Sequence, residues 1–124
     1  MASTVVRTSK RLDRVRTAMT FANTATAVGA SETTVLDAFD AALYNRYAIQ
    51  LFTNNSTAAT GKVYGSLKDE PTSDTDWTQI GDDIAVSGDS NALKAISTTA
   101  LKHIRVRATG SGANLNVIVY AEQV

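Results

Sequence analysis

The sequence predicts an all-β protein, an antiparallel β-sandwich of about eight strands with an extended N-terminal arm, of the jelly-roll or immunoglobulin-like kind. Three observations lead to this fold class. Apolar and polar residues alternate in short runs, turn-forming residues recur every ~8–12 positions, and abundant Thr, Val and Ala accompany one proline and seven glycines. Alternation with a period of two is typical of strands that bury one face.

Length and charge divide the chain into two parts. A chain of 124 residues corresponds to one domain. Residues 1–17 contain few apolar side chains and five basic ones, so we predict a basic N-terminal arm there and a sandwich domain over residues 18–124. The arm lacks the apolar centre of a signal peptide, and no apolar run approaches the ~18 residues of a membrane span. No membrane association is expected.

The first half of the sandwich domain contains two predicted strands and one ambiguous stretch. Residues 20–28 are a weak strand candidate and residues 33–38 a stronger one. In residues 37–45, Phe39 and Leu43 fall near helical spacing with earlier apolar residues, which competes with a strand that ends in a turn. Because the flanking sequence is strongly β, we favour a strand, a turn and a new strand.

The second half alternates more regularly. Predicted strands follow at residues 47–52, 62–67, 77–80, 83–87 and 92–98, and the chain closes with a hairpin around the Gly110-Ser111-Gly112 turn. The alternation assigns these residues to the core: Ile49, Leu51, Val63, Ile104, Val106, Val117 and Val119.

Charge is unevenly distributed although the net charge is zero. Residues 1–17 hold five basic residues against one acidic residue, and residues 69–89 hold seven acidic residues and no basic one. Such asymmetry concerns association rather than fold. We therefore predict a partner interface in which the arm opposes the acidic loop of a neighbouring copy, or another acidic surface. Its residues are Arg7, Lys10, Arg11, Arg14, Arg16, Asp74, Asp76, Asp82 and Asp83.

Residue types that catalysis requires are sparse. The chain has no cysteine, which excludes disulfides and thiolate metal sites. Its single histidine, His103, is predicted to lie exposed on the polar face of the last hairpin. The Gly110-Ser111-Gly112 sequence precedes a predicted strand rather than the helix that a phosphate loop requires. We therefore expect no enzymatic activity, no cofactor, no metal and no small-molecule substrate.

Other binding chemistries are weaker interpretations. The acidic loop lacks the ligand spacing of an EF-hand calcium site. The arm has no aromatic residues among its bases, and the domain is neutral, so nucleic acid is not an expected partner. Trp77 is interpreted as a structural residue at a strand start rather than a platform for a sugar.

From Tyr47 onward the chain resembles β-sandwich modules of bacteriophage virion proteins. Those modules run through a strand, an Asn/Gly turn, a strand similar to V-x-G-S-x-D, a variable loop, W-x-x-I and a final hairpin with a Gly-Ser/Thr-Gly turn. Lys68 stands where many of them have Asp, and residues 1–45 have no specific match. The matching residues are Val63, Gly65, Ser66, Trp77, Ile80, Arg105, Val106, Gly110 and Gly112.

This resemblance implies a structural protein of a tailed phage, most similar to a small head decoration (cement) protein on the capsid surface of the virion. It implies the major capsid protein and neighbouring copies of the chain as partners, with a homotrimer as the expected assembly. A neck, tail or baseplate component is the alternative within the same class. A carbohydrate-binding β-sandwich module is the alternative from another class.

Overall fold

The computed structural model describes residues 4–11, 15–42, 44–53, 57–87, 91–97 and 101–123, and for residues 4–11, 15–17 and 97 it describes the backbone. These residues form ten strands and one short 3-10 helix, Asp74–Asp76. The strands are β1 Thr4–Arg11, β2 Val15–Val28, β3 Thr33–Asp40, β4 Arg46–Thr53, β5 Ala59–Ser66, β6 Thr78–Gln79, β7 Ile84–Val86, β8 Asn91–Ser97, β9 His103–Gly110 and β10 Ala113–Glu122.

The strands form two antiparallel sheets, which confirms the predicted β-sandwich. The first sheet has the order β1-β2-β10-β4-β8, and the second has the order β3-β9-β5-β6, with β7 also paired to β5. If β6 and β7 are taken as two pieces of one strand, β2 to β10 form two four-stranded sheets, and successive strands lie in different sheets except where β5 is followed by β6 and β7. This order is that of a jelly roll rather than an immunoglobulin-like sandwich.

The predicted closing hairpin is wrong. β9 pairs with β3 and β5 in the second sheet, whereas β10 pairs with β2 and β4 in the first. The turn between β9 and β10 is stabilised by residues at and just after the end of β2, since the amides of Gly110 and Gly112 donate to the carbonyl oxygens of Gly29 and Val28. Gly112 has a φ of 85°, a left-handed conformation that glycine adopts without strain.

The core lies between the two sheets and contains every residue that alternation assigned to it. On β9, Ile104, Val106 and Ala108 are buried, and they belong to the same core cluster as Val117 and Val119 of β10. Towards one end of the core, the rings of Phe21 and Phe39 stack with centroids 3.9 Å apart, and Tyr44 meets Phe21 edge to face. These contacts join β2 of one sheet to β3 of the other.

The ambiguous stretch of the sequence forms a strand, a turn and a new strand, as favoured. β3 continues to Asp40, β4 begins at Arg46, and the described residues between them contain no helix. The buried hydroxyl of Tyr47 donates to the carbonyl oxygens of Ala41 and Tyr44, at 3.2 and 3.0 Å. Burial, followed by the charges of Tyr44 and Asp40, raises the pKa of Tyr47 to about 12.

A bulge interrupts β2 where it pairs with β10. The register shifts between Leu115 and Val117, and Ala25 has a φ of 54°. The buried side chain of Asn116 fills the bulge, since its Oδ1 accepts from the amide of Ala25 and its Nδ2 donates to the carbonyl oxygen of Phe52. The bulge thereby ties β2, β10 and β4 together.

Residues 4–11 form an edge strand of the first sheet. β1 pairs with β2 from Thr4 and Ala22 to Arg11 and Val15, whereas β10 pairs with β2 only as far as Ala18. The β1–β2 hairpin therefore extends three residue pairs beyond the last pair of β10 with β2. β2 runs through residues 17 and 18 without a break, and the division there into an arm and a separate domain stays a prediction.

Candidate functional site

The outer face of the second sheet is rich in charge. Alternation on β9 turns His103, Arg105 and Arg107 outward, and β5 places Tyr64 opposite Arg105. The two guanidinium groups are largely covered, with side-chain exposures of 14% and 17%. Partly buried arginines need acidic partners to offset the loss of hydration.

Asp74 supplies part of that compensation. One carboxylate oxygen of Asp74 lies 3.2 Å from Nη2 of Arg105 and 3.4 Å from Nη1 of Arg107. The acidic loop thus folds back onto the basic face of its own sheet.

Glu32 and Tyr64 complete the surroundings of Arg107. Nη1 of Arg107 lies 3.2 Å from a carboxylate oxygen of Glu32, and its Nη2 donates to the carbonyl oxygen of that residue. The Tyr64 hydroxyl donates to the Glu32 carboxylate at 2.9 Å. Burial, together with the hydrogen bond and the charge of Glu32, raises the pKa of Tyr64.

The rest of the acidic loop is also held within the chain. Lys102 forms an ion pair with Asp69, and Nε2 of His103 lies 2.9 Å from the carbonyl oxygen of Asp69. The hydrogen bond from Lys102 lowers the pKa of Asp69. His103 is half-buried by this contact, so the predicted exposed edge position is only partly correct.

Asp76 anchors the short 3-10 helix of the loop. Its carboxylate accepts hydrogen bonds from Lys68 Nζ at 2.6 Å and from the amides of Thr72 and Ser73. Ser73 in turn caps the helix with its side chain. The Lys68 contact, followed by the two amides, holds the pKa of Asp76 well below its ordinary value.

Trp77 lies beneath the guanidinium group of Arg105. The distance from Arg105 Cζ to the ring is 4.5 Å, and the indole is 8% exposed. A cation over an aromatic ring is attracted by the electrons of the ring face. The ring is therefore covered by protein, which agrees with a structural role and leaves no open platform for a sugar.

The sequence-predicted interface residues occupy separate parts of the molecule. The backbones of Arg7, Lys10 and Arg11 belong to β1 and that of Arg16 to β2, while Arg14 lies outside the described residues. Lys10 and Arg16 are opposite each other in the hairpin register. Asp74 and Asp76 have partners within the chain, Asp83 accepts from Gln79 and lies 4.0 Å from Lys62, and Asp82 is exposed.

The outer face of the first sheet has a different character, which the sequence analysis missed. Ile118 of β10 points outward there between Ala22 of β2 and Gln50 of β4, and Tyr120 points outward between Thr20 and Ala48. On β8, Leu93 is 74% exposed, and Tyr120 is 43% exposed. Arg46 and Glu122, which form an ion pair at one end, are the charged members among the described outward side chains of β2, β10, β4 and β8.

A hollow of ≈ 390 Å³ opens on this face, and Arg46 and Glu122 form part of its lining. Ala48 and Ala95 lie in its lining, and Tyr120 also contacts it. Strand alternation in β4 and β10 predicted their inward residues but gave no reason to connect the outward ones, because their pairing across the sheet was unknown. The signal that could have found the face is the series of uncharged outward residues.

Two features that the described residues lack bear on other functions. No group of three or more His, Asp or Glu residues among them could hold a metal ion. Across that same part of the chain, no helix has the length and apolar character needed to cross a membrane.

Comparison with known proteins shows similarity of fold without similarity of sequence. No protein-family model matches the chain, and no curated protein sequence matches it. The SPBc2 prophage-derived protein YomS matches 92% of this chain over 100% of its own, with a TM-score of 0.59 and 11% identity. PirA matches 86% of this chain over 93% of its own, with a TM-score of 0.51 and 11% identity.

The STIV MCP, a viral capsid-related protein, also has this fold. It matches 87% of this chain over 40% of its own length, with a TM-score of 0.51 and 9% identity. The structural neighbours of the chain thus include proteins of phage and viral origin. Structural matches at identities this low show a common fold and nothing more. A fold by itself does not determine function.

Proposed function

We propose that this chain is a non-enzymatic structural protein of a phage virion, which binds the outside of the capsid and stabilises it as a decoration protein. The observation that supports this most is the fold, because this jelly roll matches a prophage-derived protein over 92% of the chain with a TM-score of 0.59. The sequence resemblance to virion β-sandwich modules points to the same class. Jelly rolls recur among the domains of viral capsids.

The projecting β1–β2 hairpin is the proposed contact with the shell. Its backbone carries Lys10, Arg11 and Arg16 beyond the end of the pairing between β2 and β10. A basic projection of this kind is complementary to an acidic surface, and charge complementarity guides association. The major capsid protein is the proposed owner of that surface.

Contacts within the chain favour the shell over a neighbouring acidic loop as the partner of the hairpin. Asp74 already lies between Arg105 and Arg107, and Asp76 already accepts from Lys68. A hairpin from another copy would have to displace these contacts, whereas an acidic shell surface needs no such exchange. The homotrimer implied by the resemblance stays a prediction.

The test uses particles of the phage that encodes the chain. Purified virions should contain the protein in many copies, and electron microscopy should locate its density on the outer surface of the head. Particles that lack it should lose DNA at a lower temperature than complete ones, and adding the purified protein should restore their stability. Density in the neck, tail or baseplate would instead support the alternative virion location, and absence from virions would contradict the proposal.

A further inference from the structure

We infer that the outer face of the first sheet pairs with the same face of a second copy, so that two chains associate back to back around a two-fold axis. This inference rests on the proposed function insofar as it identifies the surface through which neighbouring copies meet. We call this surface the β10 face. It consists of the outward side chains of β2, β10, β4 and β8, among them Leu93, Ala95, Ile118 and Tyr120, with Arg46 and Glu122 at one end.

The chemistry of the β10 face is that of an interface rather than a solvated surface. Tyr120 and Leu93 are two of the three large apolar residues that are exposed in the described chain. The third, Leu67, lies 64% exposed in the loop after β5 of the other sheet. Clustered exposed apolar residues without intervening charge mark surfaces that bind other proteins.

The shape of the β10 face is complementary to itself. Leu93 protrudes from β8, and the hollow of ≈ 390 Å³ lies on the same face, lined in part by Ala95 of that strand and Tyr120 of β10. A two-fold axis brings the Leu93 of each copy over the face of the other. The protruding Leu93 of each copy can then enter the hollow of the other. A two-fold interface, which uses the same patch on both copies, requires this kind of self-complementarity.

Charge also permits a second copy. Arg46 and Glu122 form an ion pair with each other, so the described side chains of the face carry no net charge. The described part of the face therefore presents no excess of one charge to a second copy. By contrast, an acidic surface of the kind proposed to bind the hairpin would find no net positive charge among the described side chains of this face.

The available area is sufficient for a specific contact. Four strands about 4.8 Å apart, with four rows of outward side chains about 6.8 Å apart, cover roughly 500 Å². Two copies then bury about 1,000 Å², which reaches the lower limit of specific interfaces. A two-fold contact predicts a dimer, which differs from the homotrimer that the resemblance implies.

The experiment measures the mass of the purified protein by sedimentation across about a hundredfold range of concentration. The natural sequence should form a dimer, and Leu93→Glu should weaken dimerisation by at least about tenfold because it places a charge in an apolar contact. Leu67→Glu is the matched control, with the same change at a similarly exposed leucine of the other sheet, and should leave the dimer intact. Ala95→Glu tests the hollow independently. Circular dichroism establishes that each variant is folded.

Four results would overturn the inference: a monomer at every concentration, a trimer, a dimer that survives both Leu93→Glu and Ala95→Glu, or equal sensitivity to Leu67→Glu. The measurement needs no virus particles. A monomeric protein that still binds heads would therefore remove this contact and leave the proposed function standing. A protein that forms the dimer in solution but is absent from virions would leave this contact standing and contradict the proposed function.

Discussion

The exposed carboxylate of Asp74 forms ion pairs with two arginines that are much less exposed than it is. Its side chain is 78% exposed, yet it contacts Arg105 and Arg107, which are covered by the loop and by neighbouring rings. If the charge of Asp74 is removed, the guanidinium groups of Arg105 and Arg107 have less negative charge nearby to offset their loss of hydration. The cost of the change therefore arises mainly from the arginines and not from the aspartate.

Asp74→Asn is expected to lower the free energy of unfolding by about 1 kcal/mol, since the amide keeps the size of the side chain and loses its charge. Asp82→Asn is the matched control in the same loop and should stay within about 0.5 kcal/mol of the natural protein. Urea unfolding followed by tryptophan fluorescence measures both. Equal losses in the two variants would contradict the bridging role of Asp74.

Asp76 is expected to make stability depend on pH in the acidic range. Lys68 and two amides favour its charged form, so its pKa in the folded chain lies below the ordinary value of 3.8. Its contribution is therefore complete above that value and is lost as the pH falls towards the folded pKa. The gap in thermal midpoint between the natural protein and Asp76→Asn should narrow in acid, and a gap that is constant through this range would refute the assignment.

β5 shows why glycine matters inside a strand of this sandwich. Gly61 and Gly65 alternate with Lys62 and Tyr64, and they point into the core. A Cβ added at Gly61 would lie 2.3 Å from Cδ1 of Leu51, a fully buried side chain of the opposite sheet. The two sheets approach each other closely at this point because the glycine lacks a side chain.

Gly61→Ala is expected to lower the free energy of unfolding by about 1–3 kcal/mol, because Leu51 must move within a packed core. Gly29→Ala, where nothing lies within 4 Å of the added Cβ, is the control and should have a much smaller effect. Chemical unfolding at constant temperature compares the two. A Gly61→Ala protein as stable as the control would show that the core adjusts to the added methyl group.

The β1–β2 hairpin links the predicted arm to the sheet. Deleting residues 1–17 removes β1 and the first three residues of β2, and it leaves every pair between β2 and β10 in place. We expect the truncated protein to keep its β-type circular dichroism spectrum and to bind particles more weakly. Loss of the β signal would show that β1 is required for folding.

A full-length variant with Gln at the five basic positions of residues 1–17 separates charge from strand pairing. This variant should fold like the natural protein and bind particles as weakly as the truncated one. Normal binding would show that the charge of the hairpin is dispensable.

Sequence patterns predicted the faces of the strands better than their neighbours. Ile104, Val106, Val117 and Val119 were correctly assigned to the core because alternation reports which side of a strand is buried. The same pattern fits both a hairpin and two strands in opposite sheets, so the turn at Gly112 was misread as a hairpin. Strand pairing depends on the whole set of strands and is not encoded in two of them.

The candidate surfaces were only partly predictable for the same reason. The charge imbalance was visible in the composition, but the partners of Asp74, namely Arg105 and Arg107, were not, because more than thirty residues of chain separate them. The β10 face depends on register between β2, β10, β4 and β8, so Leu93 and Ile118 could not be related before the pairing was known.

At the scale of the whole molecule, the two broad faces of the sandwich are unlike each other. One carries arginines held by the acidic loop, and the other is nearly uncharged. The hairpin projects from an edge of the second of these. A molecule with this division can associate with copies of itself and with a shell through different surfaces.

Salt should separate these two contacts. At about 1 M salt the Debye length falls to roughly 3 Å, and exposed ion pairs contribute little. Attachment to particles should weaken with salt, and Arg11→Glu combined with Arg14→Glu should reproduce the loss, while the fold is unaffected by either treatment. Attachment that is unchanged in high salt would indicate that apolar contacts dominate, and unfolding of the double variant would contradict the independence of the sandwich.

The central position of β10 affects the order in which the protein can be made. β10 lies between β2 and β4 in the first sheet, yet it follows both of them along the chain. A nascent chain that stops before Ala113 lacks the strand that joins the two halves of the first sheet, so this non-local pairing must wait until β10 has been synthesised. Such a fragment also lacks Ile118 and Tyr120. Incomplete translation products therefore have no β10 face with which to enter an assembly.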